Sequence, residues 1–502
     1  MTSRNPYRWD RTNPELFFGR DALLAELGKG LLGGASFGLT GGRRMGKTTV
    51  LRRLESDLRS GRFGPAQAGL ITVPIYIDLH AIAAPLSPDA IHDAILAQVA
   101  AVLPAEAPPS AGEPAHPFAR ALARRIAAAP GPVAVIALFD EIEPLVHEPW
   151  GPALLANWRS FLHNEPALDQ SLAAVFAGSR DLDLLRHELG SPLANILTWK
   201  GLRVFSRDAT ARLAREPSGL GAALDDAAVD RLHALTGGHP FLAQFVMHEV
   251  VEHLDRPALG IIEEAAATFL DQHADKLSAW WKHFDERTRR LYAALVDSAS
   301  GAARTATADL VGVDAADRAW EVLLHTGVAR EERPGQLVAA GEMFASWFER
   351  SGRSDLLPPS WQEVDRLLYR VERGLRDLLT SHFVARDGAR WFPSFAKRHG
   401  ELAKKMSGAA KRDLDLDPAP LEFADFGDLF DQVLSDWQTL GARFESLTAD
   451  KPKRRTLFEE RKTTLVRARN AIRHSRMHDL DEVELNKAKA FALELATLLA
   501  AA

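Results

Sequence analysis

Between residues 1 and 205 short apolar runs alternate with longer stretches of helical spacing. ASFGLTG (35–41), LITVPIYIDL (70–79), VAVIALFDE (133–141) and LAAVFAGS (172–179) read as strands bounded by turn residues. Such runs, separated by amphipathic segments, predict βαβ units and a parallel sheet covered on both faces. The Pro-, Ala- and Gly-rich PAEAPPSAGEPAHP (104–117) predicts a surface loop. From Asp208 to about residue 350 the helical period dominates, and VAREERPGQLVAAGEMF (328–344) reads as a glycine-containing hairpin. Helices followed by such a hairpin suggest a winged helix. RSGRSDLLPPS (350–360) reads as a linker. Beyond it WQEVDRLLYRVERGLRDLL (361–379), FGDLFDQVLSDWQTL (426–440), RRTLFEERKTTLVRARNAIRH (454–474) and VELNKAKAFALELATLLAA (483–501) predict an all-helical domain of four or five helices. Trp280 and Trp281, at helical spacing, and Trp361, Trp391 and Trp437 are read as core rather than base-stacking residues.

At 502 residues the chain is too long for one hydrophobic core. The hydrophobic share of 46% and charged share of 25% describe a globular protein rather than a disordered one. The net charge of -6 excludes a general polyanion binder, so nucleic-acid contact would need a local basic patch. The absence of cysteine excludes thiolate nucleophiles, disulfides and Cys-ligated zinc. The first residues carry no apolar segment of signal-peptide type, and the cleanest apolar run, 133–139, is far short of the roughly 20 residues of a membrane span. The expectation is a cytoplasmic protein without a membrane partner.

The segment GGRRMGKTT contains G-x-x-x-x-G-K-[ST] at Gly41, Gly46, Lys47 and Thr48, after a predicted strand and opening a predicted helix. Glycines let backbone N–H groups curl round phosphate oxygens, and a helix N-terminus adds positive potential. Lys47 would neutralise the β- and γ-phosphates, and Thr48 would offer its hydroxyl to Mg²⁺. Arg43, Arg44 and Thr49 complete the nucleotide-binding segment. The apolar run ending in Asp140 and Glu141 suits a Walker B strand. Asp140 would hold Mg²⁺, directly or through water, and Glu141 would act as general base. Glu143 reads as a spare, structural carboxylate. A later strand ends in Ser179 and Arg180, where an Arg could distinguish ATP from ADP; the alternative is a surface turn. The expected cofactors are ATP and Mg²⁺.

These motifs resemble the STAND-type ATPases within the wider AAA-like group. The two arginines of the P-loop contribute to the likeness, and FFGRD (17–21) resembles the family's adenine-side segment. Arg180 falls where the family places a nucleotide-sensing Arg, and SPLANILTW (191–199) resembles the segment leading into the lid. TGGHPFLAQ (236–244) resembles its Gly-x-Pro segment, whose Pro240 would pack near the base. The resemblance implies an α/β P-loop ATPase core over 1–205, a helical lid over 206–280 and a winged helix over 281–352. It further implies a nucleotide-driven switch, closed with ADP and open or oligomeric with ATP. The chain departs from larger family members in showing no tandem sensor repeats. The winged-helix region is acidic on balance, which favours packing or regulation over DNA binding.

KPKRRTLFEERKTTLVRARNAIRHSR (451–476) carries ten Lys or Arg against two Glu. It reads either as a solvated helix face or as a polyanion patch. Within it Arg469-Asn470-x-x-x-His474 resembles the Arg-x4–6-His motif of HEPN domains, and the resemblance covers 358–502 as an all-α bundle. Many such domains are metal-independent ribonucleases that form one site from two motifs across a two-fold axis. That implies an RNA partner on helix 451–476, a homo-oligomer containing at least a HEPN dimer, and a phage or host trigger protein in a toxin or antiviral setting. His474 would act as general base on a ribose 2′-OH, Arg469 would stabilise phosphorane charge, and Asn470 would share the face of His474. The competing expectation is a non-nuclease switch in which the bundle only dimerises.

Overall fold

Strands β1 (Phe37–Thr40), β2 (Ile71–Asp78), β3 (Val133–Asp140), β4 (Leu172–Gly178) and β5 (Thr198–Gly201) form one sheet in the order β2-β3-β4-β1-β5, and every neighbouring pair is parallel. The computed structural model describes residues 5–9, 16–64, 68–82, 85–179, 182, 193–217, 224–298, 301–410, 414–415, 417, 419–473 and 479–500. Two compact units divide the chain, Met1–Phe348 and Glu349–Ala502.

All eight residues of β3 are buried. The reason is the alternation of a strand covered on both sides. Val135, Ala137 and Phe139 enter one core with Ala174 and Phe176 of β4. Helices α3 (Pro88–Val102), α4 (Pro117–Ala127) and α6 (Gly151–His163) complete that core. Ile136 and Leu138 point the other way, into a second core with Val175, Ala177 and helices α1 (Asp21–Leu32) and α2 (Lys47–Arg59). On the first side the rings of Phe139 and Phe176 lie parallel, 4.9 Å apart, against the fully buried Trp158. The four predicted strands are therefore present with ends shifted by one or two residues. β5 was not among the strand expectations: its residues are only half-buried or exposed, so no apolar run announces it. Residues 103–116 form an irregular connection between α3 and α4, as their composition suggested.

The rest of the first unit is helical up to a small antiparallel sheet. Side-chain caps set three helix starts: Ser206 accepts from Ala209 N–H, Asp225 from Ala228 N–H and Asp285 from Thr288 N–H. Helices Glu286–Asp297, Arg304–Val311 and Val313–Thr326 are followed by β7 (Ala329–Arg333) and β8 (Gln336–Ala339), with the two-residue β6 (Ala302–Ala303) on the far side of β8. Trp280 and Trp281 are core residues here. In the second unit the long helix Pro359–Asp387 packs on Glu482–Ala500, with Phe426–Ser435 and Lys451–Arg473 closing the bundle. Trp361 and Trp391 are buried, and Trp437 packs against the core edge. Short helices Phe392–Arg398 and Gly400–Ala410 add to those expected. The stretch 350–360, read as a linker, lies just past the division between the two units at Phe348/Glu349. It runs through a π-helical turn, Phe348–Gly352, and a 3-10 turn, Arg353–Leu356, with Arg353 buried.

One close backbone approach fixes the first unit. Gly237 (φ +61°) ends helix Asp226–Thr236, and a Cβ there would lie 2.5 Å from the backbone nitrogen of Gly341 (φ +78°). Gly237→Ala combines a left-handed backbone with a steric conflict, and is expected to cost about 2–4 kcal/mol. Chemical denaturation of the variant checks this, read as a fall in the midpoint of the first unit's transition.

Candidate functional site

The turn between β1 and α2 is built on left-handed backbone. Gly46 (φ +89°) precedes Lys47 and caps α2 without a side chain, and Arg44 takes φ +62° without being glycine. A non-glycine residue there costs roughly 1–2 kcal/mol, a strain typical of ligand-holding loops. Because no side chain caps α2, its first N–H groups face the loop's concavity. Lys47 folds back over the loop, its ammonium donating to the carbonyls of Gly41 (2.8 Å) and Gly42 (3.1 Å). Burial pulls the Lys47 ammonium below the usual lysine range; the carboxylates of Glu143, Asp140 and Glu141 oppose that pull.

Across from it, Asp140 ends β3 at 2% exposure. Its Oδ2 accepts from the Tyr76 hydroxyl (2.7 Å), and its Oδ1 accepts from Glu141 N–H (3.1 Å). Burial, then the bond to Asp140, push the Tyr76 phenol far above its ordinary range. Glu141 adopts φ +52°, is exposed, and pairs with His80 Nε2 at 3.0 Å. Glu143 is more than a spare acid. Its Oε1 accepts from both the N–H (2.6 Å) and the hydroxyl (2.5 Å) of Ser179, tying the end of β4 to the turn after β3. Burial alone would raise the Glu143 carboxyl, but the two Ser179 bonds and Lys47 hold it below the ordinary range. Arg180 and His474 lie outside the described residues.

The segment 239–241 reaches the same loop. Pro240 is buried at the first turn of helix Pro240–Glu252, and His239 caps that helix by accepting from Phe241 N–H. The Arg44 guanidinium lies 4.2 Å from the centre of the Phe241 ring. Burial, with Arg20 and Arg44 nearby, lowers His239 to about 3, so it is neutral. Arg20, in the FFGRD segment, is buried and donates to Met45 O (2.6 Å), with burial lowering its guanidinium to about 10. On a further side, Gly42 N–H donates to His325 O (2.7 Å), and a Cβ at Gly42 would sit 2.8 Å from Thr326 Cα. Tyr76, His80, Glu143, Arg20 and His325 were not among the expected site residues. Arg20 lies in the FFGRD segment and Glu143 was read as a structural carboxylate, but no motif marks Tyr76, His80 or His325, which enter through tertiary contact.

This donor set fits a magnesium nucleotide. The cradle has an uncapped helix end, left-handed turns and a lysine already over the loop. Among the described residues no cluster of three or more His, Asp or Glu could hold a metal alone. Mg²⁺ takes one or two protein oxygens and completes its shell with phosphates and water. Thr48 and Asp140 are the residues that would hold it. The first unit thus carries a P-loop between β1 and α2 of a parallel α/β sheet, beside the carboxylate that ends β3. No family model matches the chain, and no curated protein matches it. Solved structures similar to it include the Walker-type ATPase of Pyrococcus abyssi (15% identity, 67% of this chain and 97% of that one, TM-score 0.46). The ORC2 protein of Aeropyrum pernix in ADPNP–ADP complexes is similar at 14% identity (69% and 98% covered, TM-score 0.40). The RuvB Holliday junction branch migration motor of Thermotoga maritima is similar at 15% identity (66% and 95% covered, TM-score 0.33). At such scores the assignment of the site rests on the geometry of this chain.

In the second unit Arg469 is not presented to solvent. It is buried, donating to Asp365 (3.0 Å) and Glu372 (3.0 Å), while Arg376 also pairs with Glu372 (2.9 Å). Burial raises the Asp365 carboxyl in spite of Arg469, whereas Arg469 and Arg376 outweigh burial at Glu372 and hold it low. Asn470 is exposed and lines a shallow cavity with Lys462, Val466 and Arg467. Part of the cationic charge of 451–476 is answered by acids from neighbouring elements. Arg461 meets Glu494 (2.7 Å), Lys462 meets Asp431, Arg467 meets Glu484 and Arg454 meets Glu445 (3.9 Å). Arg469→Ala would leave the buried Asp365 without its ion pair and Glu372 with Arg376 alone, and is expected to destabilise this unit by about 3–5 kcal/mol. Asn470→Ala, at the surface, should stay within about 0.5 kcal/mol. Urea denaturation of the two variants side by side checks the contrast.

Proposed function

We propose that this protein is an ATP-hydrolysing switch of STAND-like type whose helical unit acts in assembly with a second copy. The observation that carries the reading is the convergence of Lys47, Asp140, Glu141 and Glu143 on one uncapped helix terminus. Lys47 and the α2 amides would bind phosphate oxygens, Thr48 and Asp140 would hold Mg²⁺, and Glu141, once free of His80, would take the proton of the attacking water. Bound Mg²⁺ would supply neutralisation of charge on the β- and γ-oxygens. The contact of His325 and Thr326 with Gly42 supports a switch, because phosphates and the Val313–Thr326 region press on the same loop. The three helices with a small antiparallel sheet support reading 281–352 as a winged helix in a regulatory role.

An RNA-cleaving second unit is the competing reading, drawn from Arg469, Asn470 and His474. The burial of Arg469 between two carboxylates favours the assembly reading, since a guanidinium engaged there must leave both partners to reach a phosphate.

ATP hydrolysis by the purified protein with Mg²⁺, followed as phosphate release, tests the first part. Lys47→Ala is expected to abolish ATP binding, and Glu141→Gln to retain binding while lowering turnover about 100-fold or more. Undiminished hydrolysis by both variants would refute the assignment. Labelled total tRNA incubated with wild type and His474→Ala decides the second part: discrete cleavage lost in the variant would establish the nuclease.

A further inference from the structure

Asp140 is held by a residue with no place in the nucleotide motifs. Tyr76 sits on β2 opposite Leu138 of β3. It is therefore diagonal to Asp140 on the sheet face that α2 covers, within reach of a long side chain. Its hydroxyl donates to Asp140 Oδ2 at 2.7 Å, and both residues are buried. The other face of the contact comes from α2: the Arg52 guanidinium lies 3.4 Å from the centre of the Tyr76 ring. Arg52 is four residues after Thr48, so the two share a face of α2. Arg52 is itself steadied by Glu55 (3.4 Å). A line of neighbours thus runs from Thr48 along α2 to Arg52, then through Tyr76 to Asp140, and its two ends are the residues assigned to Mg²⁺.

We infer that Tyr76, steadied by Arg52, is a positioning residue that sets the Asp140 carboxylate for the magnesium nucleotide. The inference rests on the P-loop reading proposed above. A carboxylate has two oxygens, each with two acceptor directions. With Oδ2 turned to Tyr76 and Oδ1 to Glu141 N–H, the rotamer is fixed while one direction on each oxygen stays available for a metal-bound water. Partners of this kind, one bond removed from the metal, typically change metal affinity 10- to 100-fold when removed. The ring of Tyr76 fills the α2–β3 contact whether or not the hydroxyl is present, so Tyr76→Phe deletes the bond and keeps the packing.

The test is calorimetric titration of ATP into full-length wild type, Tyr76→Phe, Arg52→Gln and Asp140→Asn, over a MgCl₂ series and in EDTA, with a thermal melt of each. Tyr76→Phe is expected to bind ATP in EDTA as wild type does, but to need about ten-fold more Mg²⁺ to reach the tight state. Arg52→Gln should shift the Mg²⁺ requirement in the same direction by less, and serves as the second variant if Tyr76→Phe unfolds. Wild-type Mg²⁺ dependence in both variants would overturn the inference while leaving the P-loop reading intact. Failure of wild type to bind ATP would overturn the P-loop reading and this inference with it.

Discussion

A carboxylate at the end of a fully buried strand must be hydrogen-bonded, and that requirement at Asp140 organises the first unit. Leaving a buried ionised group without partners costs several kcal/mol. Here Tyr76 and the N–H of Glu141 answer it. Immediately after this bond the chain turns: Glu141 takes the left-handed region, a conformation few non-glycine residues adopt. The same turn throws the Glu141 side chain outward to His80 and starts the short helix on which Glu143 reaches Ser179.

The second unit solves a similar problem in the opposite sense. Asp365, Glu372 and Arg469 are all buried in a helical bundle, where replacement by apolar residues would cost little but loss of one partner costs much. Such a network specifies which helices meet: Pro359–Asp387 supplies both carboxylates and Lys451–Arg473 the guanidinium. The adjacent position, Asn470, faces outward because 469 and 470 are about 100° apart on a helix. An Arg beside an Asn on one helix can thus be structural and surface-facing at once, and sequence spacing does not separate those roles.

What was legible in the sequence was what local pattern encodes. The buried strands were readable because covering both faces demands apolar runs, and the P-loop because curling a backbone round phosphate demands glycines at fixed positions. β5 escaped because an edge strand with half-exposed residues has no such demand. Tyr76 and His325 escaped because their roles are made by strand register and by helix docking between distant parts of the chain. The ion pairs of the basic stretch 451–476 were not readable for the complementary reason. Its charge is written in the chain, but Glu494, Asp431 and Glu484, which answer it, come from other elements.

The nucleotide loop itself is held from several sides by groups that do not belong to a nucleotide. Lys47 occupies the carbonyls of Gly41 and Gly42, Arg20 takes the carbonyl of Met45, Arg44 rests on Phe241, and His325 O takes the N–H of Gly42. Each is a single contact worth on the order of 1 kcal/mol net. Together they link the FFGRD segment, the Gly-x-Pro segment and helix Val313–Thr326 to the stretch of the loop from Gly42 to Met45. A ligand that draws Lys47 and Arg44 toward phosphate must change contacts shared with those elements, and a ligand can shift an equilibrium only through such differences. Under the proposed function, the loop's neighbours, rather than its consensus residues, are therefore where coupling between nucleotide and the rest of the first unit would reside.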